Sequence, residues 1–136
     1  MTKVLVVSND VAGLSATLDV LGHAGYRASG ASTFEEARRL LAAGSPDLVI
    51  ADQRLGEFNG LHVILRARAA RPDLSAIVTT GAVDRGFEAD ARRLDVECVV
   101  KPRNPKGWLA PIKKALTRDR LVASRAVRPK RRHAAA

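Results

Sequence analysis

The stretch Pro46-Asp47-Leu48-Val49-Ile50-Ala51-Asp52-Gln53-Arg54-Leu55 decides the fold of this chain. Residues 48–51 form a short, continuous apolar run, which is typical of a parallel strand that is buried on both faces. The run ends at the carboxylate of Asp52. Because ligands of open α/β sheets bind outside the carboxyl ends of parallel strands, Asp52 is a candidate functional residue.

Two other apolar runs also lead to reactive side chains. Residues 76–78 lead towards the hydroxyl of Thr80, and residues 98–100 lead to the ammonium group of Lys101. The carboxyl ends of parallel strands meet at one edge of a sheet, so we expect Asp52, Thr80 and Lys101 to lie close together. A carboxylate, a hydroxyl and an ammonium group that lie close together are the groups expected at a site for a phosphoryl group.

Strand and helix signals alternate five times along the chain, which is the pattern of a doubly wound α/β fold. The first strand covers residues 4–7, and Asp10 is placed to cap the helix that follows it. Apolar residues with helical spacing mark the inner side of this helix, namely Val11, Leu14, Leu18 and Leu21. The last helix begins at Asn104-Pro105, and the position of Trp108 on it predicts that the indole lies in the core.

The length of 136 residues fits one domain, which we place at residues 1–123. The formal net charge of +9 is concentrated near the carboxyl end, where residues 117–136 hold seven Lys and Arg and one Asp. Residues 124–136 show no apolar periodicity, so we expect a basic, disordered tail that contacts anions without specificity. The sequence shows no recognition helix and no aromatic stacking platform, so specific DNA binding is not expected.

Several functional classes do not fit the sequence. The chain has neither a signal peptide nor an apolar stretch of bilayer length, which predicts a cytoplasmic protein without a membrane span. The single cysteine, Cys98, and the three histidines lack zinc-binding spacing. No glycine-rich phosphate loop follows the first strand, so we do not expect an enzyme of the nucleotide-binding kind.

The order and spacing of these residues closely resemble the receiver domain of two-component response regulators. The resemblance covers residues 3 to about 118 and rests on residues 46–55, on Asn59-Gly60-Leu61 and on Val99-Val100-Lys101-Pro102. It implies a flavodoxin-like, five-stranded parallel sheet of strand order 2-1-3-4-5 with five helices.

The resemblance also implies a function. Asp52 would accept a phosphoryl group from a histidine kinase or a phosphotransfer protein, while Thr80 and Lys101 bind the phosphoryl oxygens. Mg²⁺ would be held by Asp52 and the backbone carbonyl of Arg54, and Pro102 would follow a cis peptide bond. Because the length leaves no room for a second domain, we expect a single-domain response regulator, not an enzyme, that acts on a downstream protein by contact.

One part of the family pattern is missing. The two adjacent carboxylates that hold Mg²⁺ in receiver domains are replaced by Ser8 and Asn9, so we expect weak Mg²⁺ binding. Asn9 and Asp10 remain candidate ligands, although for Asp10 we favour the helix N-cap. The alternative function is a pseudo-receiver adaptor that is not phosphorylated in a Mg²⁺-dependent way.

A second departure concerns Cys98, three residues before Lys101, where receiver domains usually carry Tyr or Phe. We expect Cys98 to be a small apolar filler near an edge strand rather than a redox residue. Thr80 and the loop after it would then carry more of any conformational signal.

Overall fold

The computed structural model describes residues 1–117 of the chain. Five strands form one parallel sheet: β1 Lys3–Val7, β2 Arg27–Ala31, β3 Leu48–Asp52, β4 Ser75–Thr80 and β5 Glu97–Val100. In space their order is β2-β1-β3-β4-β5, which confirms the expected order 2-1-3-4-5. The predicted domain boundary at residue 123 and the basic tail over residues 124–136 lie outside the described residues.

Helices connect the strands and cover both faces of the sheet. They are α1 Val11–His23, α2 Phe34–Ala43, α3 Gly60–Ala70, α4 Arg85–Arg93 and, after a 3₁₀ turn at Pro105–Trp108, α5 over residues 109–117. A small hairpin of Arg54–Leu55 and Phe58–Asn59 lies between β3 and α3. Within residues 1–117, no helix combines the length and the apolar character that crossing a bilayer requires.

The core consists of two apolar layers, one on each face of the sheet. The layer between the sheet and helices α1 and α5 includes Val4, Val6, Leu21, Ile50, Ile77, Trp108 and Ile112. The opposite layer, under α2, α3 and α4, includes Leu5, Val7, Val49, Val63, Ile64, Val78 and Phe87. Trp108 is buried, as its spacing predicted. The expectation for Val11 is wrong, because this first residue of α1 lies beyond the edge of the core and is 66% exposed.

Asp10 is the N-cap of α1, as the sequence predicted. Its Oδ1 accepts a hydrogen bond from the backbone N–H of Gly13 at 3.1 Å. One donor at the start of the helix is thereby satisfied, a contact that typically stabilises a helix by about 1 kcal/mol. The cap also fixes the carboxylate of Asp10 at the carboxyl end of β1, next to the site described below.

The amino end of α3 approaches the end of β3 so closely that only glycine fits there. A Cβ atom on Gly60 would lie 2.4 Å from the backbone oxygen of Asp52 and 3.0 Å from that of Ala51. The N–H of Gly60 donates to the carbonyl of Gln53 at 3.1 Å. Gly60 therefore sets the distance between α3 and the strand that carries Asp52.

The expectation of a cis peptide bond before Pro102 is wrong, because every peptide bond within residues 1–117 is trans. The intrinsic difference between the two isomers of an X–Pro bond is only about 0.5–1 kcal/mol, so the surrounding chain decides between them. Here the backbone N–H of Lys101 donates to the carbonyl of Thr80 at 2.8 Å, which continues the β4–β5 ladder and directs Lys101 to the edge of the sheet.

Candidate functional site

Asp52 lies at the carboxyl end of β3, where its side chain is 15% exposed. Its Oδ1 accepts a hydrogen bond from the hydroxyl of Thr79 at 2.7 Å. Its Oδ2 accepts from the hydroxyl of Ser8 at 2.8 Å and from the backbone N–H of Asn9 at 3.3 Å. Both carboxylate oxygens are therefore held by donors from the two neighbouring strands and their loops.

Lys101 reaches the same carboxylate from the end of β5. Its Nζ lies 3.9 Å from Oδ1 of Asp52 and 3.7 Å from Oδ2 of Asp10. It also donates to the hydroxyl oxygen of Ser8 at 3.3 Å. The predicted convergence of Asp52 and Lys101 is thus present in the structure, and the ammonium lies between two carboxylates.

Ser8 joins these groups. Its hydroxyl donates its single hydrogen to Asp52 and accepts hydrogen bonds from Lys101 and, at 3.2 Å, from the backbone N–H of Asp10. One donor and two acceptor positions are all that a serine hydroxyl offers, so Ser8 is fully engaged. Its side chain is buried. Sequence reasoning treated Ser8 only as a lost acidic residue and missed this bridging role.

The hydroxyl that donates to the carboxylate of Asp52 is that of Thr79, a residue that was not predicted from the sequence. Asp52 and Thr79 are paired residues in the β3–β4 ladder, so their side chains point to the same face of the sheet. Thr80, the next residue, lines the pocket around Asp52 together with Thr79 and Lys101, so its part in binding the phosphoryl oxygens stays a prediction. The signal that could have found Thr79 is the strand register, counted from the pairing of residues 48–51 with β4.

Asn9 and Arg54 line the pocket around Asp52, together with Lys101 and with residues of the β4–α4 loop. Arg85, the first residue of α4, also lines this pocket and was not predicted from the sequence. Two arginines and a lysine that line one pocket attract anions, including phosphoryl oxygens.

The residues present do not fit a magnesium site. Mg²⁺ requires oxygen ligands in near-octahedral geometry, usually with one or two free carboxylates. Asp10 caps α1 with one oxygen and faces Lys101 with the other, while Ser8 is fully engaged. Within residues 1–117, no group of three or more His, Cys, Asp or Glu residues is arranged to hold a metal ion.

Gln53, directly after Asp52, connects the site to α4. Its side-chain amide donates to Oδ2 of Asp84 at 3.1 Å, and Oδ1 of Asp84 accepts from the N–H of Phe87 as the N-cap of α4. The hydrogen bond from Phe87, followed by that from Gln53, lowers the pKa of Asp84. Asp84 is therefore anionic at neutral pH and holds the first turn of α4 to the site.

Cys98 lies on β5, an edge strand of the sheet, and packs against the core layer under α4. Burial raises the pKa of its thiol, and the nearby carboxylates of Glu88, Asp84 and Glu97 raise it further. The thiol is therefore protonated at neutral pH and weakly nucleophilic. Its position confirms the prediction of a small apolar filler at the sheet edge.

Comparison with known proteins supports one family. The family model of the response regulator receiver domain matches residues 4–113. The protein-glutamate methylesterase/protein-glutamine glutaminase of Agrobacterium fabrum is 34% identical over 101 residues, which cover 69% of this chain and 28% of that protein. This chain spans about half or less of the length of the first curated relatives that it matches.

Two solved structures show the same fold. A CheY-like response regulator receiver domain protein from Methanospirillum hungatei has a TM-score of 0.79 and 25% identity, covering 88% of this chain and 97% of that chain. The response regulator TrrA from Thermotoga maritima, in complex with Mg²⁺ and BeF, has a TM-score of 0.72 and 28% identity, covering 85% and 99%. Since one family accounts for almost the whole described fold, this chain belongs to the response regulator receiver domains of two-component signal transduction.

Proposed function

We propose that Asp52 accepts a phosphoryl group from the phosphohistidine of a histidine kinase or a phosphotransfer protein. The observation that carries this proposal is the position of Asp52 between the hydroxyls of Ser8 and Thr79, with the ammonium of Lys101 at 3.9 Å. The phosphorylated domain then transmits the signal in the cytoplasm by contact with a downstream protein. Receiver domains are generally signalling modules without enzymatic activity, and we propose the same for this chain.

The chemistry needs a nucleophile and a way to stabilise charge. A carboxylate oxygen of Asp52 forms a bond to phosphorus while the bond from phosphorus to the donor's imidazole nitrogen breaks. The leaving nitrogen keeps the electron pair and takes up a proton. The product is an acyl phosphate on Asp52, and most of the barrier is overcome by positioning and by neutralising charge on the phosphoryl oxygens.

This chain supplies donors for those oxygens. Lys101 contributes a point charge, and Arg85 contributes a second cation from the lining of the same pocket. The hydroxyls of Ser8 and Thr79 now donate to the carboxylate, and they can turn to the phosphoryl oxygens once the carboxylate charge has been lost. Such preorganised donors stabilise developing charge without a large reorganisation.

The relatives support the same reaction class. TrrA binds a complex of Mg²⁺ and BeF, and receiver domains generally use Mg²⁺ during phosphorylation. In this chain we propose that Mg²⁺ contributes little, because Ser8 and Asn9 occupy the places of the metal-binding carboxylates. The match to the methylesterase spans 28% of that protein, so its esterase activity does not extend to our proposal.

Intact-mass measurement after incubation with phosphoramidate, a small donor with a nitrogen–phosphorus bond, tests the proposal. We expect the parent protein to gain one phosphoryl group and Asp52→Asn to gain none. Asp84→Asn is the matched control, because this carboxylate lies beside the same pocket on another element and should leave the modification intact. A parent that gains no phosphoryl group from phosphoramidate or from any histidine kinase supports the pseudo-receiver adaptor instead.

A further inference from the structure

The pocket beside Asp52 already contains a cation that belongs to the chain. The Nζ atom of Lys101 lies 3.7 Å from Asp10, 3.9 Å from Asp52 and 3.3 Å from Ser8. These are the only two carboxylates that the described residues bring to the ammonium. A divalent ion placed among the same oxygens would meet the positive charge of Lys101 at close range.

Ser8 holds this arrangement in place. An aspartate at this position would bring a third carboxylate to the pocket, whereas the serine hydroxyl brings none. Instead it donates to Asp52 and accepts from Lys101, so that the ammonium and the carboxylate are tied to one atom. The backbone N–H of Asn9 adds another donor to Oδ2 of Asp52 at 3.3 Å.

We infer that Lys101, held by Ser8, takes the place of a divalent cation in this pocket, so that Asp52 accepts a phosphoryl group without Mg²⁺. This inference rests on the proposed function of Asp52. In the step concerned, the bond from Asp52 to phosphorus forms as the donor's nitrogen–phosphorus bond breaks, and the leaving nitrogen takes up a proton. The charge on the phosphoryl oxygens is met by Lys101 and by the hydroxyl and amide donors.

Mg²⁺ binding can be measured without any phosphorylation. We expect titration with magnesium chloride to leave the amide spectrum of the parent around residues 8–10 and 52–54 unchanged, with sodium chloride of equal ionic strength as the control. The double variant Ser8→Asp/Asn9→Asp should bind Mg²⁺ and shift these amides. If the double variant does not fold, Asn9→Asp alone serves the same purpose. A parent that binds Mg²⁺ as tightly as the charged variant overturns the inference.

Phosphorylation supplies the second readout. With phosphoramidate as donor, we expect the rate for the parent to change less than about twofold between excess EDTA and millimolar Mg²⁺. The rate for the double variant should fall about tenfold or more in EDTA, because its extra carboxylates repel the donor unless a metal neutralises them. Ser8→Ala should slow the parent reaction under both conditions, since it removes the contact that holds Lys101.

The two proposals fail in different ways. A parent that is phosphorylated only when Mg²⁺ is present contradicts the inference and leaves Asp52 as the acceptor. A parent that takes up no phosphoryl group with either EDTA or Mg²⁺ contradicts the proposed function and, with it, phosphoryl transfer without metal. In that case the Mg²⁺ titration still decides whether Lys101 and Ser8 exclude the ion.

Discussion

The hydroxyl of Thr79 donates a hydrogen bond of 2.7 Å to Oδ1 of Asp52, and the two residues are direct partners in the ladder between β3 and β4. The hydroxyl therefore reaches the carboxylate because of strand register, not because of a flexible loop. Thr80, the next residue, pairs with Val100 of β5, is buried and also lines the pocket around Asp52. Thr79 is therefore the threonine whose contact with Asp52 can be tested directly.

We expect Thr79→Val to lower the rate of Asp52 phosphorylation, because valine keeps the shape of threonine and removes the hydroxyl. A hydrogen bond to a charged group contributes about 1.5–3 kcal/mol, which corresponds to a loss of about ten- to hundredfold. Thr17→Val is the control, because this buried threonine lies on α1 and does not line the pocket, and its rate should stay within about twofold of the parent. Intact mass against time gives both rates. Equal losses in the two variants would assign the effect to packing rather than to the Thr79 hydroxyl.

Gly60→Ala should destabilise the protein, because the added Cβ would lie 2.4 Å from the backbone oxygen of Asp52. Overpacking of this kind costs about 1–3 kcal/mol in free energy of unfolding. Gly44→Ala is the matched control, since it ends α2 with an extended backbone and its Cβ would meet nothing within 4 Å. Urea unfolding measures both, and a Gly60 variant as stable as the Gly44 variant would show that α3 can move away from β3.

The link between Gln53 and Asp84 predicts how α4 responds to change at the site. Gln53→Glu would place two carboxylates at hydrogen-bond distance and loosen the first turn of α4. Repulsion between the two carboxylates should speed amide hydrogen exchange over residues 85–88 about fivefold. Gln53→Met removes the hydrogen bond without adding charge and should give a smaller increase. Unchanged exchange in Gln53→Glu would mean that Asp84 caps α4 independently of the site.

The free energy of unfolding should depend on pH through Asp47. Its carboxylate accepts a hydrogen bond from the backbone N–H of Lys3 at 2.8 Å and forms an ion pair with Arg71 at 2.6 Å. The hydrogen bond from Lys3, followed by the guanidinium of Arg71, lowers the pKa of Asp47. The stabilisation is therefore fully present above the unfolded carboxyl pKa of about 3.9 and is lost as pH falls through the lower, folded value. Because the Asp47 side chain is 35% exposed, solvent screening limits the contribution to about 1 kcal/mol.

Asp47→Asn tests this dependence. We expect urea unfolding to show a loss of up to about 1 kcal/mol at neutral pH and a difference from the parent that shrinks in acid. Asp73→Asn is the control, because this more exposed carboxylate lies 3.5 Å from the same arginine and should have a smaller effect. A difference between Asp47→Asn and the parent that stays constant from neutral pH into acid would contradict the assignment.

The parallel strands and the meeting of Asp52 with Lys101 were predictable from the sequence, whereas the strand order followed only from the resemblance to receiver domains. Continuous apolar runs mark buried parallel strands, and parallel strands place their carboxyl ends along one edge. The Asp10 cap and the buried Trp108 followed from local spacing in the same way. The contact of Thr79 with Asp52 was not predictable from composition, because Thr79 and Thr80 both suit a strand and only the strand register decides which hydroxyl meets the carboxylate.

The sequence by itself determined which chemical groups stand at the ends of the strands, since burial of both sheet faces favours continuous apolar runs that give way to polar residues where the strands stop. Only the tertiary structure decided how those groups are paired. Ser8 and Lys101 lie 93 positions apart, and their contact exists because β1 and β5 end at the same edge of one sheet. Ser8 stands where receiver domains carry a carboxylate, and its hydroxyl bridges Asp52 and Lys101. This bridge depends on distances of a few ångströms between strands, and no local sequence pattern contains those distances.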